Sequence, residues 1–167
     1  MSDSSTWLRA GTIRDAAEVV ALLNRIIRDQ DGTALSTPVS VEEETAFLTE
    51  LLQAGFLMLA TQNERLLSFQ SVNRLSREVG EIGTFVAREA RGRGTGRRLL
   101  EGVSEWAICQ DISTLIAEVA VNNAAGLQAY RAWGFVELSL ERRVELEAND
   151  MDISAAPDKL LLELRLD

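Results

Sequence analysis

Apolar residues return every three or four positions in some stretches of this chain and every second position in others. The two rhythms divide it into elements. From residue 12 to about Asp29, Ala16, Val19, Val20, Leu23, Ile26 and Ile27 share one helix face. Thr12 and Asp15 ahead of them have the spacing of a capping box, in which two side chains satisfy free backbone N–H groups at a helix start. Ser40 and Glu43 repeat the signature and open a second helix through about Ala54. WLRAG reads as a short strand before the first helix, and DGTALSTPV as a loop between the two, with Pro38 as a breaker. Three strand-like runs follow, FLMLAT, RLLSFQSVN and VGEIGTFVA, separated by the turns NERL and RLSREV, which predicts an antiparallel meander. A third helix carries Leu99, Leu100, Val103, Trp106 and Ala107 on one face. STLIAEVAV is a buried strand, and NNAAGLQAYRAW is a helix that stops at Gly134. FVELSLERRVELE and DKLLLELRL alternate and predict two final strands around the polar loop ANDMDISAAP. The order β-α-α-β-β-β-α-β-α-β-β is a mixed α/β (α+β) fold, four helices around a mostly antiparallel sheet of about seven strands.

Composition narrows the chemistry. At 167 residues, 46% apolar and 26% charged, the chain is expected to form one soluble domain over residues 1–167. No apolar run reaches the length of a membrane span, and MSDSSTWLRA has neither the basic start nor the apolar core of a signal peptide, so a cytoplasmic location and no membrane partner are expected. There is no histidine and one cysteine, Cys109, which removes the usual ligands of a zinc site; no metal is expected. Cys109 lies in the third helix beside Trp106 and reads as packing rather than as a nucleophile. A net charge of −9 argues against nucleic acid as a partner and weakly favours cationic or amine substrates by steering.

Against that acidic background, REARGRGTGRRLL (88–100) sets five arginines around three glycines. The stretch leaves a strand near Val86 and enters a helix near Gly96. Glycines allow successive amides to point at one anion, and a helix N-terminus adds positive potential, so a phosphate or pyrophosphate is the natural guest. A dinucleotide fingerprint fails, because Arg97 and Leu99 stand where its third glycine belongs. A P-loop fails as well, because the only lysine is Lys159. What remains is Arg-x-x-Gly-x-Gly at Arg91, Gly94 and Gly96. A basic surface loop before a helix is the competing explanation.

A second motif separates the two. In NNAAGLQAYRAWGF (122–135), Asn123 and Tyr130 are two helical turns apart and share a face about 10 Å apart. The pair of motifs, at this spacing and in this order of elements, resembles the GNAT superfamily of acetyl-CoA-dependent N-acetyltransferases over nearly the whole chain. LLNRIIRDQDGTALSTPVSVEEETAFL is similar to its phosphinothricin acetyltransferase-like group. The resemblance implies a twisted sheet that splays into a V between its fourth and fifth strands. It implies that the loop residues Arg91, Gly92, Arg93, Gly94, Thr95, Gly96 and Arg97 cradle the coenzyme A pyrophosphate. It also implies that the backbone of Thr84, Phe85 and Val86 pairs with the pantetheine arm, that Asn123 bonds to that arm, and that Tyr130 protonates the leaving thiolate. Asn123 as a mere helix cap and Tyr130 as a core aromatic are the alternatives.

The base that deprotonates the amine has two candidates. Glu118 stands alone in the apolar strand LIAEVAV, where burial would raise its pKa; its position matches the base of ribosomal-protein alanine acetyltransferases. Glu81 lies five residues before Val86 and matches the glutamate implicated in phosphinothricin-type enzymes. Gly80 and Gly83 in the same strand suggest a bulge or a close ligand approach. The expected activity is acetyl transfer to the primary amine of a small molecule, an amino acid or an analogue such as phosphinothricin or methionine sulfoximine. A peptide or protein N-terminal acetyltransferase and a non-catalytic acyl-CoA-binding module are the other readings. Apolar residues on the final strands suggest a homodimer.

Overall fold

A computed structural model describes residues 5–29, 33, 35–149, 151, 153 and 156–167. Residues 1–4 of the N-terminal segment read above, and Asp31, Gly32, Ala34, Asp150, Asp152, Ser154 and Ala155 of the two predicted loops, lie outside them.

The helix signals act where they stand in the sequence. Thr12 accepts from the Arg14 amide, and Asp15 accepts from the Thr12 amide at 2.8 Å, closing the box ahead of a short 3-10 turn that leads into α1 (Ala16–Arg28). Ser40 and Glu43 do the same for α2 (Val41–Ala54). The two helices cover one face of the sheet, where Val19, Leu23 and Leu48 pack on Leu57, Leu59 and Phe69. Among the described residues no helix is long and apolar enough to cross a membrane.

The sheet is built from β1 (Trp7–Ala10), β2 (Phe56–Gln62), β3 (Arg65–Arg74), β4 (Val79–Val86), β5 (Thr114–Ala120), β6 (Val136–Glu137) and β7 (Lys159–Arg165). Its order is β1-β2-β3-β4-β5-β7-β6, antiparallel throughout except for the parallel β4–β5 pair. The β2–β3–β4 meander is as expected. The register break falls between Ala60 and Thr61, while β3 and β4 pair without interruption past Gly80 and Gly83. A Cβ at Gly80 would lie 2.7 Å from Val72 Cγ1, so close packing rather than a bulge explains that glycine. On the sheet's other face, α3 (Thr95–Cys109) and α4 (Ala124–Ala132) bury Leu100, Val103, Leu127 and Tyr130 against Val72, Ile82, Leu115 and Ala117.

Several expectations are corrected. FVELSLERRVELE is not a strand. Only Val136–Glu137 pairs with β7, and the chain then turns into a fifth helix, α5 (Leu140–Glu147). Ser139 caps it by accepting from the Arg142 amide, and Arg142–Glu145 and Arg143–Glu147 form ion pairs along it. The alternation of VELSLERRVELE also contains a helix start and i,i+3/i+4 charge pairs, and beyond Leu138 these prevail. Five helices rather than four are therefore seen among the described residues. Of the apolar residues on the two final segments that suggest a homodimer, Val136, Leu140 and Val144 stand exposed on β6 and α5, while Leu146, Leu161 and Leu162 are buried. Cys109 is also exposed, at the last residue of α3, rather than packed; Trp106 stacks on Phe56 instead, ring centres 4.7 Å apart.

Candidate active site

The parallel pairing of β4 and β5 is short. It covers Val79–Thr114, Gly80–Leu115 and Glu81–Ile116 and then stops. Beyond it β4 stays paired with β3 as far as Val86, and β5 stays paired with β7 as far as Ala120. The two strands thus part while each is held by its outer neighbour, which opens the V-shaped cleft. The inner edge of β4 from Ile82 onward, including Thr84, Phe85 and Val86, is left without a strand beside it, a ready template for an extended ligand.

At the cleft's end β4 passes through a 3-10 turn (Arg88–Ala90) into the Gly/Arg loop. Glu89 anchors this turn, accepting from Arg25 at 3.0 Å and Arg65 at 2.9 Å. Arg91 reaches back to the Val86 carbonyl at 3.3 Å. Gly92 and Gly94 take φ of +68° and +75°, the left-handed region that glycine enters without strain. Gly94 is the N-cap of α3, with no side chain to satisfy the first-turn amides of Thr95, Gly96 and Arg97, which have no partner inside a helix. Gly96 is needed for packing: a Cβ there would lie 2.7 Å from the Trp133 ring. Gln70 of β3 donates to the Gly96 carbonyl at 3.2 Å and ties the helix start to the sheet. Arg91, Gly92, Arg93, Gly94 and Arg97 are exposed, and Thr95 and Gly96 are buried. Arg97 is 3.6 Å from Glu101, and Arg98 donates to the Thr6 carbonyl. The arrangement turns backbone amides toward one point at the positive end of a 15-residue helix, which can receive an anion.

Strand alternation puts the titratable groups on opposite faces of the cleft. Ile82, Ala117 and Val119 pack with Tyr130 under α3 and α4, so Glu81 and Glu118, one residue out of step, face the other way. Tyr130 is 8% exposed, its ring edge-on to Trp133 and Phe135, and its hydroxyl donates to Thr84 Oγ1 at 2.8 Å. Burial pushes the phenol up to about 12, against a downward pull from the Thr84 hydrogen bond. Asn123 sits at the N-cap of α4 and accepts from the Gly126 amide at 2.9 Å, so its cap role is real.

On the opposite face Glu81 is half-buried. Burial raises its carboxyl above the ordinary glutamate range, the Glu118 charge adds to this, and Lys159 and a hydrogen bond from the cross-strand Asn73 pull the other way. Glu118 is bound to Lys159 in an ion pair, which holds the ammonium above its usual range. Lys159 was not among the residues singled out from sequence. Nothing near position 159 marks it, because its partner is 41 residues away and meets it only through the β5–β7 pairing. The Thr84 side chain was missed for the same reason, with Tyr130 lying 46 residues on. The structure therefore brings Thr84 and Tyr130 together on one face of the cleft and Glu81, Glu118 and Lys159 on the other, with the Gly/Arg loop at its end.

Comparison with known proteins agrees with this geometry. Methionine sulfoximine/methionine sulfone acetyltransferase of Pseudomonas aeruginosa is 24% identical over 138 residues, 78% of this chain and 80% of that protein. Among solved structures, a GNAT superfamily phosphinothricin acetyltransferase from Sinorhizobium meliloti in complex with acetyl-CoA superposes with a TM-score of 0.75 at 15% identity, over 96% of this chain and 88% of that one. Ribosomal-protein-alanine N-acetyltransferase from Brucella melitensis superposes with a TM-score of 0.75 at 22% identity, over 96% and 99%. The model of the acetyltransferase (GNAT) family matches residues 21–135, a span that holds the cleft strands β4 and β5, the Gly/Arg loop and α4. The chain belongs to the acetyltransferase (GNAT) family, and it is an acetyltransferase.

Proposed function

We propose that this chain, as a single N-acetyltransferase domain, moves an acetyl group from acetyl-CoA to the primary amine of a small amino-acid-like acceptor, with Glu81 as general base and Tyr130 as general acid. The observation that carries this reading is the placement of the two groups on opposite faces of one splayed cleft. An acceptor and a leaving thiol on opposite sides of a reacting carbonyl need a base and an acid disposed in that way. The name of the Pseudomonas relative supports the acceptor class.

Acetyl-CoA supplies an activated acyl thioester. The amides of the Gly/Arg loop from Arg91 to Arg97 bind its pyrophosphate, and the free edge of β4 at Thr84, Phe85 and Val86 holds the pantetheine arm as a further strand. Asn123 offers its remaining hydrogen-bonding capacity to the same arm. An amide of this edge donates to the thioester oxygen as charge develops there. Glu81 takes a proton from the acceptor's ammonium group, which costs about 1 kcal/mol at neutral pH for an α-amine and about 4–5 kcal/mol for a lysine-like amine. The nitrogen then bonds to the carbonyl carbon, the carbon–sulfur bond breaks, the nitrogen sheds its second proton to solvent, and Tyr130 gives its own proton to the sulfur, so that one proton is released overall. The products are the N-acetylated amine and free thiol. Glu118 is a weaker candidate for the base, because its carboxylate is already committed to Lys159.

The test is thiol release from acetyl-CoA against amino acids, methionine sulfoximine and sulfone, phosphinothricin, polyamines and short peptides. Turnover is expected on the amino-acid analogues and its loss in Glu81→Gln. Turnover on peptides alone, or binding of coenzyme A with no transfer to any amine, overturns the reading.

A further inference from the structure

The backbone of Thr84 lies on the cleft edge, but its side chain does something that an edge strand does not require. Thr84 Oγ1 accepts from the Tyr130 hydroxyl at 2.8 Å inside an apolar box of Trp133 and Phe135 rings, with Ile82, Ala117 and Val119 from β4 and β5 in the same cluster. A threonine hydroxyl can donate as well as accept. Valine, of nearly the same shape, would fill the space with no polar atom.

We propose that Thr84 is a positioning residue for Tyr130: its hydroxyl accepts from the phenol while the phenol keeps its proton, and turns to donate to the phenolate once that proton has left. The proposal rests on the reading of Tyr130 as the acid. In the step itself the Tyr130 O–H bond breaks, an S–H bond forms on the leaving thiolate, and the O–H electron pair stays on the phenolate oxygen. Thr84 keeps its own proton and only rotates about its Cβ–Oγ1 bond. The phenolate then recovers a proton from the solvent that receives the one taken up by Glu81.

The electrostatics agree. Burial alone drives the phenol upward, the Thr84 bond is the opposing influence, and no charged group of the described residues contributes. Without Thr84 a phenolate in that box would lose the hydroxyl that lies 2.8 Å from it, in surroundings that are largely apolar.

The chain has a single tyrosine, so biosynthetic 3-fluorotyrosine gives one fluorine resonance and one phenol titration, both read without any substrate. In the full chain, Thr84→Val is expected to raise the titration midpoint by about one pH unit, the scale of one hydrogen bond to a charged group. Thr84→Ser is expected to restore it. With acetyl-CoA and a turned-over amine, Thr84→Val is expected to lower kcat by about tenfold and leave the KM for acetyl-CoA within about twofold, because the backbone edge is unchanged. A titration that stays in place in Thr84→Val, or in Thr84→Ala should the valine variant not fold, overturns the proposal. A shifted titration alongside full turnover in Tyr130→Phe overturns it by the other route, since the bond would then be real and the acid elsewhere.

Discussion

Lys159, the first residue of β7, closes an ion pair onto Glu118 of β5, and both charges act on Glu81 of β4 with opposite sign. Three neighbouring strands thus bring one charge each to the rim of the cleft. If Glu81 is the base it must be ionised, so kcat/KM rises as pH passes its pKa, which burial already holds above the usual glutamate range. Glu118→Gln removes a charge that raises that pKa, and the acid limb of the profile is expected to move to lower pH. Lys159→Met removes a charge that lowers it, and the limb is expected to move to higher pH. Glu81→Gln is expected to reduce kcat by roughly 10²–10⁴-fold. A pH–rate profile unchanged in both the Glu118 and Lys159 variants would take Glu81 out of the role.

Gly94 and Gly96 stand two residues apart at the start of α3 and are glycine for different reasons. Gly94→Ala meets nothing within 4 Å but must hold φ at +75°, a strain of about 1–2 kcal/mol. Gly96→Ala meets the Trp133 ring at 2.7 Å, an overpacking of about 1–3 kcal/mol. Calorimetry is expected to show weaker coenzyme A binding for both. Only Gly96→Ala is expected to loosen the α3–α4 packing as well, which a change in Trp fluorescence of the free protein would report. Equal and unperturbed binding in both would remove this loop from the phosphate site.

Arg142 joins α5 to the sheet through Glu163, donating from Nε at 3.2 Å to a carboxylate that is 7% exposed. Arg142→Ala leaves that charge buried without its partner, at a cost of about 2–3 kcal/mol. Thermal melts followed by circular dichroism are expected to fall by roughly 5–10 °C, on the scale of a domain this size. Arg142→Ala with Glu163→Leu is expected to recover most of the loss. Failure of the double variant to recover would mean that α5 is held by something other than this pair.

Glu44 on α2 is buried, and burial alone raises its carboxyl above the ordinary range. An acid whose folded-state pKa is raised favours the fold below its unfolded pKa, and this contribution is lost as pH rises through the folded value. Glu44→Gln is therefore expected to raise Tm at pH 7 by a few degrees, on the scale of about 1 kcal/mol. The advantage should vanish toward about pH 4, where wild-type Glu44 is also neutral. Melts of the two proteins across that range decide the point, and parallel curves would contradict it.

Much of the fold could be read along the chain because its signals are local. Thr12–Asp15 and Ser40–Glu43 cap the helices that follow them whatever else is nearby. The Gly/Arg loop was legible for a similar reason: positive φ at Gly92 and Gly94 is a property of the backbone at those residues. The stretch from Val136 to Glu147 was misread because its pattern fits both periods. It pairs with β7 over only two residues, after which the Ser139 cap and the charge pairs along α5 take the chain into a helix.

Sequence by itself determined the helix caps, the alternation of the β2–β4, β5 and β7 strands, and the glycine-rich turn that leads into α3. Only the tertiary structure decided what the side chains of Glu81, Glu118 and Tyr130 face. The pairing of β4 with β5 ends at Glu81–Ile116 while β3 stays on β4 and β7 stays on β5, and that parting makes the cleft. The same pairings bring Lys159 onto Glu118, and the packing of α4 over β4 brings Tyr130 onto Thr84. These contacts join residues 41 and 46 positions apart. A one-dimensional pattern states which face a residue takes, but the partner it meets there depends on how distant strands and helices come together.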